Sequence, residues 1–335
     1  MKISDIHRYD SEKMHESYEK WPEIAQENYR KDLSKIQFRN VDHIVFAGVG
    51  GSGTIGDVMS SILSKTSIHV NVVKGYLLPK TVGPNTLVIT TSVSGNSKES
   101  LSILQNARKS EGKFVAFSSG GKMKKFSGKD NISYIQIPEI HSPRASFSCY
   151  LYSMLNVLED VIPVKKTDIN KSISLLTDTK KKISSTNLTS SNPALSLAKW
   201  ISGVPIIYYP WGLHSAAIRF KNSLQENAKT HAFVEDIIES SHNAIVAWEK
   251  RSKIKPILIT GKDDYIKTRE RWEVIKEFFR LNKIQYKEIH SSSGNILTKL
   301  VNLIYLLDYS SIYRAVLSKT DPTPVRPIEF IKSRI

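Results

Sequence analysis

Short apolar runs alternate with helix-like stretches along most of this chain. In the first half, these runs predict five strands, at residues 42–48, 68–73, 86–92, 113–119 and 134–138. The run at 86–92 (TLVITTS) is nearly all apolar, which is typical of a central strand of a parallel sheet that is buried on both faces. Helical patterns follow two of the strands, up to about residue 63 and over 98–110. Repeated strand–turn–helix units predict an α/β fold with a doubly wound parallel sheet.

The second half of the chain repeats this pattern. Its predicted strands lie at residues 205–210, 243–249, 255–261 and 284–290. Its predicted helices cover about residues 213–229, 265–281, 294–315 and 324–334. Two α/β halves of similar pattern indicate a duplicated domain.

Further helical patterns complete the predicted organisation. Residues 10–38 show a mixed apolar and charged pattern in which Pro22 marks a break or a new start, and residues 145–160 also have a helical pattern. The chain is predicted to begin with an N-terminal helical segment (1–40) and a first α/β domain (41–162). A polar helical bridge or linker (163–193) then leads to a second α/β domain with C-terminal helices (194–335).

Composition is ordinary for a globular protein, with 335 residues of which 40% are hydrophobic. The single cysteine, Cys149, excludes an intramolecular disulfide and indicates a reducing compartment. We expect Cys149 to be a small buried residue, with a catalytic thiol as the lesser alternative. The N-terminus has no apolar core of a signal peptide, and no apolar stretch is long enough to span a bilayer. We therefore expect a cytoplasmic protein without a membrane partner.

The formal charge of +16 raises the question of nucleic-acid binding. The lysines are scattered, and the densest cluster, Lys180 to Lys182, lies on a helix-like segment. The sequence shows no recognition helix, zinc-finger spacing or aromatic RNA-binding motif. We therefore expect a solvated lysine-rich surface and no nucleic-acid partner, while the positive field favours anionic ligands such as sugar phosphates.

Two turns rich in glycine and serine follow strands of the first half, GVGGSGTIGD at 48–57 and SVSGNS at 92–97. Hydroxyls, backbone N–H groups and a helix N-terminus at the carboxyl edge of a sheet suit a phosphate. The first turn also fits the glycine pattern of dinucleotide sites. However, the next strand, 68–73, is followed by Lys74 instead of an acidic residue, which disfavours a nucleotide. A phosphorylated small molecule is the leading ligand class.

Together the two turns resemble the sugar isomerase (SIS) domain, a phosphosugar-binding fold. Further segments resemble the archaeal and bacterial bifunctional phosphoglucose/phosphomannose isomerases, in the family's order and over nearly the whole chain: GYLLPKTV, SSGGK, SPRAS, FKNSLQENAK, SHNAIVAWE and DPTPVRPIEFIK. The resemblance implies two SIS-type, flavodoxin-like domains. It also implies a homodimeric enzyme that interconverts glucose 6-phosphate, mannose 6-phosphate and fructose 6-phosphate through a cis-enediol, with no metal or other cofactor.

The resemblance further implies catalytic residues. Glu226 would move the proton between C1 and C2; it lies near the C-terminal end of helix 213–229, where the macrodipole disfavours a charged carboxylate. His242, reaching the active site of the other subunit, and Lys332 would open the sugar ring. Arg144 would stabilise the enediolate.

The resemblance also implies substrate-binding residues, namely Gly51, Ser52, Ser92, Ser94, Ser97 and Thr323. The serine hydroxyls would hold the 6-phosphate. Thr323 would lie near C1 and C2, where a small side chain makes room for rotation about C2–C3 and so admits both C2 epimers. Thr320 is the other candidate for that position.

The chain also departs from the pattern of its relatives. Val93, Lys98 and Ser100 stand where relatives commonly have an aromatic and two acidic residues, and they are expected to change the rim of the site. Ala244 replaces a glutamate of many relatives. None of these changes removes a proposed catalytic group.

Two other functions stay open. One is a non-catalytic SIS-type sugar-phosphate sensor, which would need a DNA-binding element that residues 1–40 are too short to supply. The other is an amino-sugar-phosphate isomerase.

Overall fold

The computed structural model describes residues 1–128 and 132–334, without the side chain of Arg108. The first half forms a five-stranded parallel sheet of order β2-β1-β3-β4-β5. The strands are β1 (His43–Ala47), β2 (His69–Val73), β3 (Thr86–Thr91), β4 (Lys113–Ser118) and β5 (Ser133–Gln136). Each lies within a predicted run or one residue outside it. The doubly wound parallel α/β fold is confirmed.

The burial of the strands explains their order in the sheet. Every residue of β1 and β3 is buried, as the nearly all-apolar run at 86–92 predicts for a central strand. The edge strand β2 is half-exposed and alternates polar and apolar residues. Val45, Val88 and Ala116 of the central strands pack with Leu104 in one hydrophobic core.

The second half forms a four-stranded parallel sheet of order β7-β6-β8-β9. Its strands are β6 (Pro205–Tyr209), β7 (Phe233–Asp236), β8 (Lys255–Thr260) and β9 (Lys287–His290). This order repeats that of the first four strands of the first sheet. The repetition agrees with the duplication that the sequence pattern indicates.

The helices surround the sheets or precede them. They are α1 (Ile3–Tyr9), α2 (Met14–Glu19), α3 (Trp21–Arg30), α4 (Gly51–Leu63), α5 (Lys98–Gln105), α6 (Gly121–Ser127), α7 (Phe147–Val157), α8 (Lys166–Ile183), α9 (Pro193–Trp200), α10 (His214–Asn227), α11 (Ile237–Ser240), α12 (Ile266–Leu281), α13 (Ile296–Leu317) and α14 (Arg326–Lys332). Short 3₁₀ helices cover Asn106–Lys109, Trp211–Leu213 and Ala244–Glu249. None of the helices in the described ranges combines the length and the hydropathy that a bilayer-spanning helix requires.

The predicted strand at 243–249 is wrong. Residues Ala244–Glu249 form a 3₁₀ helix, and the Asn243 side chain accepts a hydrogen bond from the Ala244 N–H (2.5 Å) at its start. Ile245 and Trp248 are three residues apart, the 3₁₀ period, and both pack on the core around Tyr208. The edge strand of the sheet is instead β7, which the sequence pattern did not reveal.

The predicted helix over 10–38 is also wrong in extent. Helix α1 precedes the predicted range. Only two short helices, α2 and α3, lie in this range, with Pro22 at the start of α3 as expected, and α3 ends at Arg30. Beyond that end, the Ile36 N–H donates to the Val157 carbonyl (3.0 Å) and the Lys35 ammonium to the Asn156 carbonyl (2.7 Å). These contacts with α7 hold the segment outside a helix.

The chain packs into two compact units. One contains Lys20–Ile173 and the first sheet, and is called the β1–β5 unit. The other contains Met1–Glu19 and Ser174–Ile335 and the second sheet, and is called the β6–β9 unit. The sequence-based boundaries at residues 40, 162 and 193 remain predictions.

Candidate active site

The glycine-rich turn joins β1 to α4. Gly50 has φ +58°, a left-handed conformation that glycine adopts without strain, and α4 begins at the next residue. A Cβ atom on Gly51 would lie 3.0 Å from the Pro143 carbonyl oxygen and 3.4 Å from the Arg144 Cα. The absence of a side chain at Gly51 therefore lets the turn pack directly against the backbone of Pro143 and Arg144.

The serine-rich turn joins β3 to α5. Gly95 has φ +68°, and a Cβ atom there would lie 2.0 Å from the Gly120 carbonyl oxygen. The Ser97 hydroxyl lies 3.0 Å from that of Ser92 and 2.8 Å from that of Ser100. Ser97 is the residue before the first turn of α5, so these hydroxyls gather at a helix N-terminus, where backbone N–H groups have no intrahelical partner.

The two turns meet inside the β1–β5 unit. The Val93 N–H donates to the Ser52 hydroxyl (3.3 Å), which places the first residues of α4 beside the serine-rich turn. Ser52, Ser92 and Arg144 are buried. The fold thus brings together five residues predicted for the site: Gly51, Ser52, Ser92, Ser97 and Arg144.

Ser94 lies at the outer edge of this group. It is exposed, and its hydroxyl accepts a hydrogen bond from the Asn96 N–H (3.3 Å). Its position is therefore on the rim, outside the buried Ser92 and the half-buried Ser97.

Ser100 and Val93 are not at the rim, contrary to expectation. Both are buried. The Ser100 hydroxyl donates to the Thr91 carbonyl (3.1 Å) and lies beside that of Ser97, so Ser100 supports Ser97 from within the unit. The spacing of Ser97 and Ser100 across one helical turn is the sequence signal that could have identified this support.

Glu226 lies in the last turn of α10, in the β6–β9 unit, and is half-buried. The neighbouring face of α10 is bonded to α13 through Arg219 and Ser223. The Arg219 guanidinium pairs with the Asp308 carboxylate (2.7 Å), to which the Ser223 hydroxyl also donates (2.7 Å). One turn further, the Asn227 amide donates to the Ser311 hydroxyl (2.8 Å). The helix that carries Glu226 is thus held by buried polar bonds.

Thr323 lies between α13 and α14. Its N–H donates to the Asp321 carboxylate (2.9 Å), and it directly follows Pro322, whose carbonyl accepts from the Lys229 ammonium (3.2 Å). Thr320 instead lies just after the end of α13, where its N–H donates a hydrogen bond to the Ala315 carbonyl (2.9 Å).

His242 and Lys332 are exposed in the same unit. His242 lies in the turn after α11, where its N–H donates to the Glu239 carbonyl (2.9 Å). It therefore precedes a 3₁₀ helix and not a strand. Lys332 is the last residue of α14.

Cys149 lies in α7 and is buried. Burial raises the pKa of its thiol to about 12. The thiol therefore stays protonated, which agrees with a packing role and disfavours a nucleophile.

The chain has clear relatives among proteins of known activity. It is 32% identical to a bifunctional phosphoglucose/phosphomannose isomerase of Caldicellulosiruptor bescii, over 96% of this chain and 98% of that protein. The chain belongs to the bifunctional phosphoglucose/phosphomannose isomerase family. Two domain models of this class of protein match: a SIS domain over residues 37–158, and the bacterial phospho-glucose isomerase C-terminal SIS domain over 190–335.

Other relatives of this isomerase-family chain act differently or share only its fold. A D-glucosamine-6-phosphate 4-epimerase of Sulfolobus acidocaldarius is 26% identical over 72% of this chain and 76% of that protein. The solved C-terminal domain of glucosamine-fructose-6-phosphate aminotransferase from Francisella tularensis superposes with a TM-score of 0.68 at 14% identity, over 92% of this chain and 96% of that one. This structural likeness supports the SIS-type fold.

Proposed function

We propose that this protein interconverts glucose 6-phosphate, mannose 6-phosphate and fructose 6-phosphate through a cis-enediolate, without a metal ion. The observation that carries the proposal is the match to a bifunctional isomerase over 96% of the chain. The residues proposed for this function lie in segments that resemble the family motifs, which supports the proposal.

The proposed phosphate site is the group Gly51, Ser52, Ser92 and Ser97, with Ser94 at its rim. Two helix N-termini and several short hydroxyls offer donors to one anion. The hydrogen bond between Val93 and Ser52, which joins the two turns, supports a single shared site.

The proposed proton carrier is Glu226. Its carboxylate would take the proton from C2 of the aldose, which leaves an enediolate with its negative charge on O1. A proton would then pass from the C2 hydroxyl to O1, and Glu226 would return its proton to C1, which gives the ketose. The proposed role of Arg144 is to stabilise the enediolate oxygen. Its buried position beside Gly51 supports this role, since a charge is worth more where water is excluded.

The proposed ring-opening groups are His242 and Lys332, with His242 supplied by the second subunit of a homodimer in the cytoplasm. An imidazole exchanges protons near neutral pH, which suits transfer to the ring oxygen. The exposure of His242 supports a role at a neighbouring subunit. Thr323 is proposed to leave room for rotation about C2–C3, so that both epimers react.

The test uses protein treated with EDTA and fructose 6-phosphate, with the products followed by NMR. Formation of both glucose 6-phosphate and mannose 6-phosphate is expected. Glu226→Gln should abolish turnover while phosphosugar binding, measured by calorimetry, stays within about twofold. The control is Glu270→Gln, which removes an exposed glutamate paired with Lys267 (2.8 Å). Wild-type turnover by Glu226→Gln would remove this residue from its role.

A second candidate function is an activity on amino sugars. The observation that favours this second candidate is the similarity of the chain to a D-glucosamine-6-phosphate 4-epimerase. Glucosamine 6-phosphate in the same NMR assay decides between the two: conversion of this sugar, with fructose 6-phosphate unchanged, would replace the main proposal. Binding of fructose 6-phosphate with no conversion of either sugar would instead favour the non-catalytic sensor.

A further inference from the structure

Lys229 joins two parts of the β6–β9 unit that carry proposed active-site residues. Its ammonium donates to the main-chain carbonyl of Glu226 (2.6 Å) and to the carbonyl of Pro322 (3.2 Å). Glu226 is the proposed base, and Pro322 directly precedes the proposed specificity residue Thr323. The Lys229 side chain therefore connects the backbone at Glu226 with the backbone at Pro322.

The bond to Glu226 has a clear physical basis. The last carbonyls of an α-helix have no intrahelical partner, and a cation near them is favoured by the helix dipole. Glu226 lies in the last turn of α10, which ends at Asn227. Lys229 has φ +52°, the left-handed conformation common just after a helix end. From this backbone position its side chain reaches back to the helix.

The segment that contains Pro322 and Thr323 is held by two more hydrogen bonds. The Asp321 carboxylate accepts from the Thr323 N–H (2.9 Å) and from the Ser11 hydroxyl (2.5 Å). These bonds order the turn itself, and Lys229 joins the turn to the end of α10. The Lys229 bridge is thus a direct link between that helix end and the segment that carries Thr323.

We propose that Lys229 is a positioning residue that fixes the carboxylate of Glu226 relative to Thr323, and so controls both the rate of proton transfer and the choice between the two C2 epimers. The inference rests on the proposed function. Proton transfer is sensitive to errors in position of about 1 Å, and in the proposed mechanism it is Thr323 that leaves the room in which both epimers form. Lys229 acts through these residues and is not itself placed on the substrate.

The chain offers a matched control in Lys283. This lysine has φ +54° and follows the end of α12, so it has the same residue type, backbone conformation and place after a helix as Lys229. It is exposed. Comparing Lys229→Met with Lys283→Met separates the effect of losing the bridge from the general effect of replacing a lysine that has a left-handed backbone conformation.

The experiment measures initial rates and the ratio of mannose 6-phosphate to glucose 6-phosphate formed from fructose 6-phosphate. For Lys229→Met we expect kcat to fall about tenfold, KM to stay within about twofold, and the product ratio to change by at least about twofold. Lys283→Met should match the wild type. Lys229→Arg keeps a donor and should recover most of kcat. Unchanged kcat and ratio in Lys229→Met, or equal effects of both methionine variants, would overturn the inference.

Hydrogen–deuterium exchange tests the bridge without relying on turnover. Lys229→Met should speed exchange in residues 321–325 at least about threefold, whereas Lys283→Met should not. A wild-type protein that fails to isomerise fructose 6-phosphate would refute the proposed function, while exchange would still show whether Lys229 holds this segment. Unchanged exchange in Lys229→Met would refute the bridge even in an active enzyme.

Discussion

The guanidinium of Arg219 and the carboxylate of Asp308 form an ion pair that is closed off from solvent, with Nη2 2.7 Å from Oδ2. The pair joins α10, which carries Glu226, to α13. Both side chains are almost fully buried. Each charge therefore offsets the cost of removing the other from water.

Replacing one partner of this pair should strongly destabilise the fold. Asp308→Asn leaves the Arg219 charge buried without its counter-ion, and we expect the free energy of unfolding in urea to fall by about 3–5 kcal/mol. The control is Asp178→Asn, which breaks an exposed pair with Lys181 (3.1 Å) and should cost less than about 1 kcal/mol. Similar losses in the two variants would contradict the importance given to burial.

Removing the Ser52 hydroxyl should weaken substrate binding more than turnover. A hydrogen bond to a charged phosphate contributes about 1.5–3 kcal/mol, so we expect Ser52→Ala to raise KM for fructose 6-phosphate about tenfold or more, with kcat within about threefold. Ser61→Ala is the control, since Ser61 lies on the same helix and bonds the Asp57 carbonyl (3.0 Å) within it. A normal KM in Ser52→Ala would place the phosphate elsewhere.

A side chain at Gly95 should disrupt the serine-rich turn. The left-handed backbone costs about 1–2 kcal/mol for other residues, and the new Cβ atom would overlap the Gly120 carbonyl oxygen at 2.0 Å. We expect Gly95→Ala to lower the melting temperature by several degrees and to abolish saturation by substrate. Gly75→Ala, at a position with no atom within 4 Å of the new Cβ, should change neither. Equal melting temperatures of the two variants would show that the turn tolerates a side chain.

Glu19 should contribute stability that is lost in acid. Burial opposes its ionisation, but the Tyr309 hydroxyl (2.6 Å) and the Ser185 N–H (2.8 Å) donate to its carboxylate, and the net effect lowers its pKa below the ordinary 4.5. Because the folded-state pKa lies below that of the unfolded chain, the contribution is complete above that ordinary value and disappears as pH falls through the folded-state pKa.

The measurement is the free energy of unfolding of the wild type and of Glu19→Gln as a function of pH. At about pH 7 the variant should be less stable by about 1–3 kcal/mol, and the difference should shrink on acidification below about pH 4. A difference that stays constant, or grows, as pH falls would show that the ionised form of Glu19 is not the stabilising one.

Several features of the fold and site could be predicted from sequence because they depend on local chemistry. The nearly all-apolar run that contains β3 predicts a strand buried on both faces, and the glycines at 50 and 95 mark turns that need left-handed backbone. The strand predicted at 243–249 failed because a short apolar run does not by itself distinguish a strand from a short helix. Ile245 and Trp248 pack on the core around Tyr208 with the three-residue spacing of a 3₁₀ helix.

The sequence by itself determined the α/β class, the place of the two turns rich in glycine and serine, and the family. These follow from hydrophobic periodicity and from residue types at fixed spacing, which neighbouring residues largely decide. Only the tertiary structure decided that Ser52 bonds Val93 and that Lys229 connects Glu226 with Pro322. Such contacts join residues far apart in the chain or depend on which side of an element faces the core. The packing of whole elements fixes them, and no local pattern records them.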